Sequence, residues 1–217
     1  MNWSWSVLRC FNTSVKLHWS WLALVFVLSF SFPNLVPIFL VAHFFVLLHE
    51  FGHILMAQRL GVITEDITLY PIGGMARVAI PRNAKKEILI VFAGPAVNLV
   101  LALVFILVDM IVSDSWIFYP FLYFFYMCNV TLFVFNLLPV FPSDGGRLLR
   151  ATLFFFMKDD YYKSTLVSVR IGQILAVGMA LFGFCYGYLM LCFIALFLFV
   201  MSEVELNLVR LSSDVVE

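Results

Sequence analysis

Charge is scarce in this sequence. Only 12% of the 217 residues are Asp, Glu, Lys or Arg, whereas 64% are hydrophobic, and the mean hydropathy is +1.04. A soluble globular chain is about 25% charged, so too little polar surface is present to cover a water-exposed body. The chain is therefore expected in a membrane. Its 13 basic and 13 acidic residues balance, which leaves no positive field for nucleic acid and excludes a highly charged disordered chain. Cysteine is also sparse: Cys10, Cys128, Cys185 and Cys192 have no paired spacing, so neither a disulfide framework nor a Cys-based zinc site is expected. No repeat or low-complexity tract accompanies the 25 phenylalanines.

What is present is a series of apolar runs. A spanning helix needs about 20 mostly apolar residues, and six stretches qualify approximately: 17–32, 36–60, 87–110, 117–138, 166–183 and 186–205. Residues 17–32 also have the outline of a signal peptide, but the run is heavy in Trp and Phe and Pro33 crowds the would-be cleavage site. Sorting Lys and Arg by loop tests the count of six. Two lie in the N-terminal segment, five from Arg59 at the end of the second stretch to Lys86, five from Arg147 to Arg170 at the start of the fifth, and one in the tail, which accounts for all 13. The opposite loops, 31–35, 111–116 and 184–185, hold none. By the positive-inside bias both termini are expected on the cytoplasmic side of a cell membrane.

Ionisable residues within an apolar run oppose insertion by at least ~2.5–3.5 kcal/mol each, so each one is a functional candidate. Apart from Arg59 at its end, the second stretch carries four: His43, His49, Glu50 and His53. Three of them form His49-Glu50-Phe51-Gly52-His53, an H-E-x-x-H. On a helix, residues four apart share a face about one turn apart, so two imidazoles can hold one Zn²⁺. Glu50, about 100° round the axis, would reach that ion through a water. The metal would lower the pKa of its water, and Glu50 would take the proton. His43, about two turns before Glu50, could line a water path or stand as an inert hydrogen-bonded histidine.

Two histidines leave a catalytic zinc one protein ligand short. The strongest second polar cluster is Asn136-Leu-Leu-Pro139-Val-Phe-Pro142-Ser-Asp144-Gly145-Gly146, at the cytoplasmic end of the fourth stretch. Taken alone, Ser143 or Asp144 would equally serve to cap a helix over 147–157. Asn98 follows Gly94-Pro95 in the third stretch, where proline frees a helix carbonyl and glycine allows close packing, so Asn98 would satisfy a freed group or a neighbouring span.

Together these motifs resemble the site-2 protease family of intramembrane zinc metalloproteases, in its compact form. Its signatures are H-E-x-x-H and N-x-x-P-x-x-P-x-D-G, and Leu48 to His53, Pro71-Ile-Gly-Gly74, Ala93-Gly-Pro-Ala-Val-Asn98 and Asn136 to Gly146 occur in family order. The resemblance implies His49, His53 and Asp144 as ligands of one zinc per chain, Glu50 as general base, and Asn136 as a residue holding the substrate backbone or the transition state. Ser143 stands where many members have Leu. That position neighbours a ligand and is not one.

Residues 67–70 and 75–80 are strand-like and joined by Pro71-Ile72-Gly73-Gly74, a hairpin turn. Its free edge could take an unwound substrate helix as an added strand, which would make Gly73 and Gly74 substrate-binding. Trp3, Trp5 and Val7 alternate with polar residues, as in a surface strand beside the hairpin or an aromatic interfacial anchor. Residues 147–157 suggest a helix lying at the interface.

The expected fold class is an all-α polytopic membrane protein of about six transmembrane helices with a small membrane-associated β-hairpin or sheet on the cytoplasmic side. Residues 1–217 form a single domain in this reading, since the 61–86 connection is too short for a PDZ module and the tail too short for a CBS pair. The expected partners are a transmembrane protein substrate, the lipid bilayer and a regulatory membrane protein. Two alternatives stand beside it. A CAAX-type membrane zinc protease would use Glu203 or Glu205 as third ligand, and a zinc sensor or transporter would need no base.

Overall fold

The computed structural model describes residues 3–79, 82–112, 118–157 and 160–214, with the backbone alone for 212–214. The expectations at Asn2, Ile80, 113–117 and Lys158 lie outside the described residues. The chain forms two compact units, Met1–Pro81 with Phe92–Phe133, and Arg82–Val91 with Val134–Glu217.

The first unit is built on a four-stranded sheet in the order β1 (Ser4–Cys10), β2 (Thr13–His18), β3 (Thr64–Tyr70), β4 (Gly73–Val78). β1 and β2 are antiparallel. Phe11 and Asn12 between them both have positive φ, 49° and 56°, as a two-residue hairpin twisted to match its strands requires. β2 and β3 are parallel, and such a pair needs a long crossover. Helices α1 (Trp19–Ser31) and α2 (Leu35–Arg59) supply it. β3 and β4 form the expected hairpin, but the turn is tighter than the sequence suggested. Gly73 and Gly74 pair with Tyr70 and Leu69, so they belong to β4, and only Pro71 and Ile72 connect the strands.

One face of the sheet packs on α2. Val15, Ile67 and Leu69 are buried with Phe51 and Ile54, the alternation expected of a sheet with one apolar face. Asp66 on β3 is buried and bonded by Lys16 of β2, with Arg77 Nε of β4 at 3.5 Å. The unit also holds Phe92 onward of α3 (Ala84–Ile111, with Pro95 inside it) and most of α4 (Tyr119–Asn136). These helices are apolar outside and polar inside. Val100, Leu103 and Leu107 are exposed, while Asn98 and Asn129 are fully buried, the arrangement expected where the surrounding medium is hydrocarbon.

The second unit holds the first turns of α3, the amphipathic α5 (Asp144–Phe156), and the antiparallel pair α6 (Tyr161–Cys185) and α7 (Leu189–Asp214). Phe141, Val169 and Leu206 form its core, with Leu166 against them. Beside that core Arg150 joins three helices. Its Nε and Nη2 donate to Glu87 Oε1 at 3.1 and 2.6 Å, and its Nη1 donates to Glu205 Oε1 at 2.6 Å. Burial alone would lower the Arg150 pKa, but the two carboxylates outweigh it and hold the guanidinium above its ordinary value. Arg150 also stacks over the rings of Phe141 and Tyr161.

The chain is mostly helical. Among the described residues, four helices are long and apolar enough to cross a membrane: α2, α3, α6 and Leu189–Leu211 of α7. α1 and α4 have 13 and 18 residues. At 1.5 Å per residue these are about 20 and 27 Å long, short of a hydrocarbon core of about 30 Å. The first is short because Leu17 and His18, assigned to a span from sequence, belong to β2.

Candidate metal centre

His49, Glu50 and His53 lie in the C-terminal half of α2, in one unbroken helix of 25 residues. One helical turn brings the imidazoles together, with His49 Nε2 and His53 Nε2 3.1 Å apart and both rings buried. A tetrahedral zinc with Zn–N bonds of about 2.0–2.1 Å would hold two such nitrogens roughly 3.3 Å apart. The pair therefore fits two ligand positions of one ion.

Helix α3 faces this pair. Gly94 lies against the two imidazoles so closely that a Cβ there would overlap His53 Nε2 and come within 2.8 Å of His49 Nε2. Asn98, one turn on, turns its Oδ1 to His49 Nδ1 at 2.5 Å. A ligating histidine usually donates its second ring nitrogen to such an acceptor. With Nδ1 carrying the hydrogen, Nε2 keeps its lone pair for a metal. The neighbouring span that Asn98 was expected to satisfy is thus α2, through His49, and α4 as well, through Asn129 Oδ1 at 3.0 Å.

Glu50 points the other way round α2, to the sheet. Its Oε2 accepts from the Ala76 N–H of β4 at 2.9 Å. Gly74 makes room for it: a Cβ at that position would stand 2.7 Å from Glu50 Cγ. In the strand order β4 has a neighbour on one side only, so the base candidate rests on the open strand of the hairpin. His43 bonds the same hairpin. Its Nε2 meets Tyr70 O at 3.1 Å, and its Nδ1 meets Phe39 O at 3.0 Å. It ties α2 to the end of β3.

Asp144 and Asn136 belong to the second unit. Asn136 ends α4, and Asp144 is the buried first residue of α5, with Ser143 at the N-cap. Ser143 makes no side-chain cap bond to α5; its Oγ donates instead to Leu138 O at 2.6 Å. Glu203 and Glu205, considered as ligands from sequence, are engaged within this unit: Glu205 by Arg150, and Glu203 by Gln173 Nε2 at 2.8 Å. Sequence reasoning did not single out Asn129. It is a fully buried amide in an apolar helix, and the rule that drew attention to the histidines applies to it equally.

Comparison with known proteins shows the family. The family model described as Peptidase family M50 matches residues 37–114 and 108–179. A zinc metalloprotease of Methanocaldococcus jannaschii is 35% identical over 219 residues, covering 98% of this chain and 63% of the relative. Rip3 of Mycobacterium tuberculosis is 29% identical over 228 residues, covering 88% of this chain and 56% of the relative. The chain thus spans about three fifths of the length of these relatives. Among solved structures, a site-2 protease from Methanocaldococcus jannaschii superposes with a TM-score of 0.66 at 31% identity, covering 93% of this chain and 94% of that one.

Proposed function

The chain belongs to peptidase family M50, and from that premise we propose that it is an integral-membrane zinc endopeptidase that cuts peptide bonds in or near the transmembrane segments of other membrane proteins. The observation that carries this reading is the convergence on α2. Two imidazole Nε2 atoms stand at ligand separation, one of them oriented by Asn98, and the adjacent carboxylate rests on an open strand edge. His49, His53 and Asp144 are the zinc ligands in this reading, the aspartate by its place in the N-x-x-P-x-x-P-x-D-G motif. Zinc so held supplies a Lewis acid for the scissile carbonyl and a lowered pKa for the attacking water.

The protein's own residues do the rest. Glu50 accepts the proton of the attacking water and delivers it to the leaving amine. A substrate helix has its carbonyls already bonded, so it must unwind, and β4 offers backbone groups in exchange as the substrate adds to its edge. Gly73 and Gly74 keep that edge free of side chains, and Asn136 holds the substrate backbone. The chain crosses the membrane six times in this reading, α1 and α4 included, with both termini cytoplasmic.

The test is a cleavage assay on purified protein with a panel of transmembrane peptides, together with zinc determination. Glu50→Gln should keep its zinc and lose cleavage, while Asp144→Ala should lose zinc as well. Undiminished cleavage by Glu50→Gln would remove Glu50 as the base, whereas bound zinc with no cleavage of any peptide by the parent protein would favour a zinc-binding sensor or transporter.

A further inference from the structure

The hydrogen bond that orients His49 does not end at Asn98. Asn98 Nδ2 donates to Asn129 Oδ1 at 3.0 Å, and Asn129 Nδ2 donates to Phe125 O at 2.9 Å, the carbonyl four residues earlier in α4. Both amides are fully buried, within apolar stretches of their helices. All members of this chain lie in the first unit.

The direction of the whole chain is set at its far end. A backbone carbonyl can only accept, so Asn129 must present its Nδ2 to Phe125 and its Oδ1 to Asn98. Asn98 must then meet it with Nδ2, which leaves Oδ1 for the histidine. An acceptor at His49 Nδ1 requires the hydrogen on that nitrogen, so Nε2 holds the lone pair. Reversing any one link would oppose two donors or two acceptors inside a buried network, where an unmatched polar group is costly. Asn98 by itself lacks this polarity, because its amide could rotate and offer a donor to His49.

We propose that Asn129 is a positioning residue for the metal site. It touches neither metal nor substrate, and it fixes the tautomer of His49 by locking the Asn98 amide. This rests on the metalloprotease reading for its purpose, though not for its measurement. Two substitutions separate positioning from packing. Asn129→Leu fills similar volume but has no acceptor for Asn98, so the amide is released. Asn129→Asp still offers Asn98 Nδ2 an acceptor in the same place, so the amide stays locked.

The primary readout is the ¹⁵N spectrum of histidine-labelled, metal-free protein under alkaline conditions, with His49 assigned by the loss of its signal in His49→Gln. The parent protein should show His49 protonated on Nδ1. Asn129→Leu should show a mixture of tautomers and bind zinc about 10–100-fold more weakly in chelator competition. Asn129→Asp should restore both. Protonation of the parent His49 on Nε2 would overturn the proposal even if Asn129→Leu failed to fold. So would an unchanged tautomer and zinc affinity in Asn129→Leu, or a loss in Asn129→Asp as large as in Asn129→Leu. Neither readout depends on cleavage, so failure of the protease assignment would appear separately, in the cleavage assay on the parent protein.

Discussion

Replacing Arg150 with leucine should be the most destabilising change in the second unit, for a reason visible in the two carboxylates it serves. Glu87 is fully buried, its Oε1 takes two of the guanidinium N–H groups, and its Oε2 has no hydrogen-bond partner. Glu205 takes one N–H, and its side chain is 27% exposed. Removing the cation therefore strands one carboxylate without water and leaves the other within reach of solvent. Loss of one partner from a buried ion pair costs about 3–5 kcal/mol, whereas a half-exposed pair is worth about 0–1 kcal/mol. For a chain of this size each kcal/mol moves Tm by about 2–4 °C. Arg150→Leu should then lower Tm by roughly 6–20 °C in a detergent-solubilised thermal melt, and Glu205→Gln by no more than about 4 °C. Because the damage is an unpaired charge and not lost volume, Glu87→Leu combined with Arg150→Leu should recover most of the deficit. A single-variant loss under about 1 kcal/mol, or a double variant no better than Arg150→Leu alone, would refute the assignment of a buried, compensated charge.

Two further substitutions test the first unit. Gly94→Ala should raise the intrinsic helix preference of α3 by about 1 kcal/mol yet reduce bound zinc well below one per chain, since the methyl group falls on His53 Nε2. Full zinc occupancy by elemental analysis would show that the imidazoles do not need the gap. Gly74→Ala should leave zinc in place and lower kcat by about a hundredfold, because a side chain there displaces Glu50 and small misplacements of a base are expensive. An unchanged kcat would show that Glu50 works from another position.

Much of the site was legible before any coordinates. H-E-x-x-H needs only helical periodicity to place His49 and His53 together, and the apolar run around it makes a chance occurrence improbable. Gly94 and Asn98 were recognisable as a packing and polar pair, but their target was not, because nothing in the spacing says which of several helices lies opposite. Asn129 was passed over for the same reason. An isolated amide has no local pattern, and its meaning comes from Phe125 O behind it and Asn98 in front. The sheet was half visible. The β3–β4 hairpin is contiguous and carries its own turn, and β1 alternates, but the end of β2, Leu17 and His18, merges with the apolar run that follows it. Strand and helix share that run, and hydropathy alone cannot separate them.

What the sequence determines by itself is everything that depends on local order: a membrane solvent, from the lack of charge; an uneven distribution of basic residues along the chain; and a two-histidine helix carrying a carboxylate one residue along. Tertiary structure decided what depends on which segments meet. It set β2 parallel to β3 across two intervening helices, put Glu50 against the open strand through Ala76 N–H, and ended the His49 hydrogen-bond chain on a backbone carbonyl of α4. Hydropathy and periodicity act over a few residues, so they specify elements and faces. The direction of a hydrogen bond depends on the fixed donor or acceptor at its far end, and only the folded chain brings that group into contact.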